Sequence, residues 1–182
     1  MPKLIVLNGP LGIGKSTLAQ KYADEHPLTL KLDIDEIRKH LSHWRERDEE
    51  SKKLSRKMAK EMARISLIAN NDVVISQFYR DTEELEALSK LAVECSADFY
   101  EVALIVPKEE AIKRFIDRGQ AKGYPQGFTP GGLVDRYGGI EWLKSIYDEM
   151  VQTIDKRPNT IRISPKLGDE NGTYKELLEA LD

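Results

Sequence analysis

The sequence predicts an α/β fold in which a parallel sheet carries helices on both faces. Short aliphatic runs at residues 3–8, 28–32, 73–76, 100–106 and 160–163 alternate with segments of helical pattern or a glycine-rich insertion. Strands and crossover helices of a parallel sheet alternate in this way. The first run, Lys3-Leu4-Ile5-Val6-Leu7-Asn8, is short and aliphatic, as a buried parallel strand requires. A glycine-bearing turn and a helical pattern follow it directly.

That turn is Gly9-Pro10-Leu11-Gly12-Ile13-Gly14-Lys15-Ser16, which satisfies G-x-x-x-x-G-K-[ST], the phosphate-binding loop or P-loop. The glycines let successive backbone N–H groups converge on phosphate oxygens, and the loop delivers the anion to the positive end of the helix beginning near Gly14. Lys15 supplies a point charge between the last two phosphates. Ser16 offers a hydroxyl to Mg²⁺, which prefers hard oxygen ligands. Residues Gly9 to Thr17 are thus the expected nucleotide cradle, with ATP and Mg²⁺ as the implied cofactors.

Further elements follow from pattern and capping. Leu54, Met58, Met62, Ile65 and Ala69 recur every three or four residues, which predicts a helix burying that stripe. Asn70-Asn71 suits a left-handed helix end, and Asp81 with Glu84 makes a capping box for the next helix. A short closing helix is expected over 173–181. Between Gly119 and Gly139 lie seven glycines together with Pro125 and Pro130. A loop of that length inside a compact domain is usually a functional lid or disordered. Arg118, Lys122 and Arg136 flank or lie in it, so a lid over about 119–139 would bring positive charge to the phosphates. Tyr124, Phe128 and Tyr137 would cover a substrate or anchor the loop.

The 182 residues suit one domain spanning 1–182, and the net charge of −3 argues against a protein coated in nucleic acid. The single cysteine, Cys95, is expected to be a buried structural thiol near a helix end. There is no apolar run of bilayer-spanning length and no signal-peptide pattern, so the expectation is a cytoplasmic protein without a membrane or stable protein partner. Lys52, Lys53, Arg56, Lys57, Lys60 and Arg64 put positive charge on one helix, diluted by Asp48, Glu49, Glu50 and Glu61. A solvated face is the expected reading.

The remaining motifs bear on the reaction. A GTP-specific switch needs an N-K-x-D segment, which is missing. A motor ATPase would end an aliphatic strand in Asp-Glu, whereas the third strand here ends Val73-Val74-Ile75-Ser76-Gln77. The second strand leads into Asp33-Ile34-Asp35-Glu36-Ile37-Arg38, setting carboxylates and an arginine beyond a strand's carboxyl end, where ligands of parallel sheets bind. A phosphoryl-acceptor hydroxyl needs a base, and a carboxylate such as Asp35 or Asp33 suits that role. The same residues also fit a capping box, Asp33 with Glu36, with Asp35 favoured by the helix dipole. Arg114 and Arg118 share a helix face and either stabilise phosphoryl charge, stack on a base, or pair with Glu110 and Asp117. His40, His43 and Trp44 do not complete a metal site and are candidates for an acceptor pocket.

Together, the P-loop, the Asp-x-x-Arg after strand two and the Arg-x-x-x-Arg-Gly before the lid resemble the P-loop kinases, particularly the bacteriophage-type polynucleotide 5′-kinase module. The likeness covers roughly residues 3–119. It implies a three-layer fold with a five-stranded parallel sheet in the order 2-3-1-4-5. By that resemblance Asp35 is the general base, Arg38 binds an acceptor anion, Arg118 contacts the transferring phosphate and Arg114 lies against adenine. The Asp33-x-Asp35 pair is also similar to that of shikimate kinase, which implies that Asp33 helps Ser16 to place Mg²⁺. Many members carry Asp where this chain has Gln77. The expected activity is transfer of the γ-phosphoryl of ATP to a hydroxyl of a small molecule or a nucleic-acid 5′ end. A regulatory ATP-binding module without an acceptor is the alternative.

Overall fold

A computed structural model describes residues 1–120 and 137–182, so most of the expected lid lies outside the described residues. The elements run β1 (Lys3–Asn8), α1 (Lys15–Glu25), β2 (Leu30–Leu32), α2 (Ile34–Lys39), α3 (Asp48–Ile68), β3 (Val73–Ser76), α4 (Thr82–Glu94), β4 (Asp98–Leu104), α5 (Lys108–Gln120), α6 (Gly139–Asp155), β5 (Ile161–Ile163) and α7 (Glu170–Leu181). All strand pairs are parallel and the order is β2-β3-β1-β4-β5, as expected from the resemblance.

Period-two side-chain alternation in β1 divides the core into two layers. Ile5 and Leu7 join Val74 of β3 against Leu18, Ala19 and Tyr22 of α1, with Met150 and Ile154 of α6 and Leu177 of α7. Leu4 and Val6 face the other way, with Val73 and Ile75, against α2, α3 and α4. With both faces covered, Leu4 to Leu7 have no solvent exposure. Central β1 therefore delivers the P-loop from the buried middle of the sheet.

Local signals account for most element ends. Asp33 caps α2 by accepting from the backbone N–H of Asp35 and Glu36, and Asp81 caps α4 by accepting from Glu84 N–H. Asn70 takes the left-handed conformation beyond α3, at φ 61°. The second strand is shorter than expected because Leu28, at φ 64° and largely exposed, belongs to the turn after α1. The fourth begins earlier, since Asp98 pairs with Lys3 in the β1 register.

One expectation is overturned. The stripe Leu54, Met58, Met62, Ile65 and Ala69 is the exposed face of α3, and Ile65 retains 70% of its accessible surface. The buried face is Ser51, Ser55, Ala59, Ala63 and Leu67. Small residues every fourth position let the helix backbone lie close to a sheet face already filled by Leu4, Val6, Val73 and Ile75. The Ser55 hydroxyl is satisfied within the helix by the Lys52 carbonyl at 3.1 Å. Periodicity was right about the helix and wrong about which of its faces turns inward.

Candidate active site

The P-loop is held open by its backbone. Gly9, Gly12 and Gly14 have φ of 150°, 80° and 105°, a region that side chains with a Cβ rarely occupy. At Gly9 space matters too, since a Cβ would lie 2.6 Å from the Leu104 carbonyl oxygen of β4. The α1 helix starts at Lys15 with Gly14 as N-cap, and no side chain caps it. The amide groups of its first turn thus point into the cleft as an anion site.

Asn8, a residue that motif reading did not single out, fixes this loop. It is fully buried, and its Oδ1 accepts from the N–H of Gly9 at 2.8 Å and of Tyr79 at 2.9 Å, while its Nδ2 donates to the Tyr79 carbonyl at 3.3 Å. The start of the P-loop is thereby tied to the segment after β3. The only sequence signal was a polar residue closing an apolar strand just before the first glycine.

Lys15 folds back over the loop, donating to the carbonyls of Gly9 at 2.7 Å and Pro10 at 2.9 Å. Burial lowers its pKa to about 7, helped by the charge of Arg118 and opposed by Asp33 and Asp35. Among the described residues no carboxylate forms an ion pair with this ammonium, and a triphosphate would supply an anion there. Ser16 Oγ lies 3.5 Å from Ser76 Oγ, and both line the same cleft as Asp33. These hard oxygens suit Mg²⁺, which keeps most of its ligands as water and phosphate.

Two cavities flank the loop. One, of about 400 Å³, is lined by Gly12, Gly14 and Thr17 with Arg114, Arg118 and the β5–α7 turn through Pro165 and Leu167. Arg114 is anchored there, donating to Glu110 at 2.5 Å and to the Pro165 carbonyl at 2.9 Å, and its buried Nε has no partner among the described residues. The other, of about 280 Å³, is lined by Lys15, Ser16, Asp33, Asp35, Glu36, Lys39 and Gln77, with Leu11, Phe78 and Phe115 as its apolar wall. Gly12 and Arg118 line both cavities. Each is of a size that holds a small ligand.

Asp35 opens onto the second cavity, yet the surrounding protein thins its hydration enough to raise its pKa. The Asp33 charge adds to that rise, while Arg38 and Lys39 oppose it. Asp33 spends one oxygen on the cap of α2. The capping and functional readings of this segment are therefore compatible, with Asp33 in the cap and Asp35 beside it facing the cleft.

Arg38 is placed differently from the role the resemblance implied. It is buried against α3, where its Nε donates to Ser51 Oγ at 2.8 Å and its terminal nitrogen reaches the Asp48 carboxylate and the carbonyls of Asp48 and Trp44, each at 3.3 Å. Trp44 stacks on the guanidinium at 4.8 Å. Because the small-residue face of α3 turns Ser51 inward, the arginine is drawn away from the cleft, and Lys39 lines it instead. Trp44 is thus part of the Arg38 anchorage, and neither it nor His40 nor His43 lines the cleft. Tyr137 stacks on Trp142 at 5.0 Å, whereas Tyr124, Phe128, Lys122 and Arg136 lie outside the described residues. Cys95 ends α4 and packs, half-buried, against the core. Among the described residues no helix is long and apolar enough to cross a membrane, and no cluster of three His, Cys, Asp or Glu side chains could hold a metal.

Comparison with solved structures finds the same fold in proteins of low sequence identity. A chain of the Pnkp1/Rnl/Hen1 RNA repair complex superposes with a TM-score of 0.64 at 19% identity, over 92% of this chain and 50% of that one. This chain thus spans half the length of that relative. A sugar kinase from Janibacter sp. HTCC2649 in its unliganded form gives 0.63 at 16% identity, covering 100% and 95% of the two chains. The tunicamycin resistance protein of Deinococcus radiodurans gives 0.57 at 15%, covering 99% and 94%. No curated protein matches the sequence. A family model described as an AAA domain matches residues 4–129, more than half of the chain and inclusive of the P-loop, Asp35 and Arg118. With its P-loop kinase-like sheet and loop, the chain belongs to this AAA-domain family.

Proposed function

We propose that the protein is an ATP-dependent phosphotransferase that moves the γ-phosphoryl group to the hydroxyl of an acceptor. One observation carries this reading: two cavities meet across the P-loop at Gly12 and Arg118, one suited to a nucleoside and the other lined by carboxylates. A regulatory ATP-binding module would need only the first. The neighbouring folds include a sugar kinase, which accords with the reading.

The nucleoside occupies the cavity between Arg114 and the 165–168 turn, and its phosphates run along the P-loop amides to Lys15. Ser16, with Asp33 nearby, would hold Mg²⁺, which would supply neutralisation of the phosphate charge. The acceptor hydroxyl lies in the second cavity, where Asp35 orients it and takes its proton. Its oxygen forms a bond to the γ-phosphorus as the bond from that phosphorus to the bridging oxygen breaks, and ADP leaves with the electron pair. Arg118, shared by both cavities, stabilises the charge in transit. The raised pKa of Asp35 brings it closer to the working range of a general base.

The test is ADP release and phosphorylated product measured over a panel of hydroxyl acceptors, with Lys15→Met and Asp35→Asn alongside. An acceptor-dependent rise, lost in both variants while each binds or folds as the wild type does, is the expected result. ATP hydrolysis indifferent to every acceptor would establish the regulatory module instead.

A further inference from the structure

Accepting the phosphotransferase reading, we propose that its acceptor is an uncharged or cationic, hydroxyl-bearing ring compound rather than a nucleic-acid end or another phosphate-bearing molecule. The inference starts from the cations that could meet an acceptor phosphate. Arg38, the nearest guanidinium in sequence to Asp35, is buried, stacked on Trp44 and bonded to Asp48 and Ser51 of α3, and it does not line the second cavity. Lys15 is clasped by the P-loop carbonyls and serves the donor, and Arg118 borders the donor cavity as well. Lys39 alone is left on the acceptor side among the described residues, and its ammonium is paired with Glu36.

Against that single lysine the acceptor side sets Asp33, Asp35 and Glu36. With Lys15 and Arg118 engaged by the triphosphate and Asp33 beside Mg²⁺, the remaining charged lining among the described residues, Asp35 and Glu36 against Lys39, is net negative. A phosphate there would face the like charges of Asp35 and Glu36, which repel it. An oligonucleotide also brings several phosphates, each of which needs a cation or open solvent. A protonated amine would instead gain from the same carboxylates, and hydroxyls find acceptors in Asp35, Glu36 and Gln77. Leu11, Phe78 and Phe115 give an apolar wall against which the C–H face of a ring can lie. At about 280 Å³ the cavity holds one or two rings.

The chemistry is the transfer already described. The acceptor oxygen bonds to the γ-phosphorus, the bond to ADP breaks, and the proton passes to Asp35.

The experiment measures ATP-dependent phosphorylation of monosaccharides, aminosugars, inositols and nucleosides, each beside its own monophosphate, and of a 5′-hydroxyl oligonucleotide. The expected result is that an uncharged or amino compound is phosphorylated with kcat/KM about 100-fold above its monophosphate, and that the oligonucleotide is inert. Preference for a monophosphate or for the oligonucleotide overturns the acceptor class while leaving the kinase reading intact. ADP release unchanged by every acceptor overturns the kinase reading itself, and the acceptor class with it. A charge-reversed variant, Glu36→Lys, adds a second measurement. It should narrow the discrimination against the monophosphate by about tenfold. An unchanged ratio would mean that the cleft carboxylates do not select the acceptor.

Discussion

The rotational setting of α3 decides where Arg38 goes, and it can be tested by stability. Ile65 keeps 70% of its surface in water, so only a third or less of the stabilisation of a buried isoleucine is at stake there, about 0.5–1 kcal/mol. A lysine stem covers much of that contact and its ammonium stays solvated. Ile65→Lys should thus cost under ~1 kcal/mol, a fall in Tm of no more than about 3 °C for a chain of this size. Ala63 is fully buried against the sheet layer of Leu4, Val6 and Val73. Ala63→Leu forces three further carbons into filled space and should cost ~1–3 kcal/mol. Thermal unfolding followed by circular dichroism measures both. If Ile65→Lys instead lowers Tm by ten degrees or more and Ala63→Leu is neutral, α3 presents its large-residue stripe to the sheet. In that case Ser51 does not hold Arg38, and the case for an uncharged acceptor loses its first support.

Other outcomes follow from the same geometry. Asn8→Ala leaves the N–H groups of Gly9 and Tyr79 buried without their acceptor and should cost ~2–3 kcal/mol in denaturant titration. Gly9→Ala sets a Cβ against the Leu104 carbonyl and should lose nucleotide binding in calorimetry, with a stability cost of ~1–3 kcal/mol. The depressed pKa of Lys15 leaves it mostly neutral above pH 7 in the empty site, and a bound triphosphate favours its protonated form. ATP binding at pH 8 should therefore take up close to one proton, read from titrations in buffers of different ionisation enthalpy. Lys15→Met should abolish that uptake. Asp35 has a raised pKa and must be ionised to accept a proton, so the acid limb of kcat/KM should lie above the ordinary carboxylate range and vanish in Asp35→Asn.

Residues Gly9 to Ser16 could be read from sequence because a P-loop is a local device: the residues that bend the backbone and those that meet the phosphate are adjacent in the chain. The helix caps at Asp33 and Asp81 are local for the same reason. Strand order came from the family resemblance rather than from periodicity, since alternation of strands and helices fixes an α/β class without ranking the strands. The inward face of α3 was hidden because two stripes with four-residue spacing run along it, one large and apolar and one small. Which of them packs depends on how closely the sheet lets the helix approach. Arg38 followed from that choice, being held by Ser51 and Asp48 of α3. The Asn8 contacts to Tyr79 span 71 residues and left no motif to read.

The phosphotransferase reading is tested most directly by following a γ-labelled phosphate from ATP in wild-type protein and in Asp35→Asn. Label should appear on the hydroxyl of an uncharged or amino acceptor, and the variant should slow that transfer by ~10²–10⁴-fold while binding ATP as before. Label released only as inorganic phosphate, or transfer within about threefold of wild type in the variant, would contradict the assignment of Asp35 as the base of a kinase site.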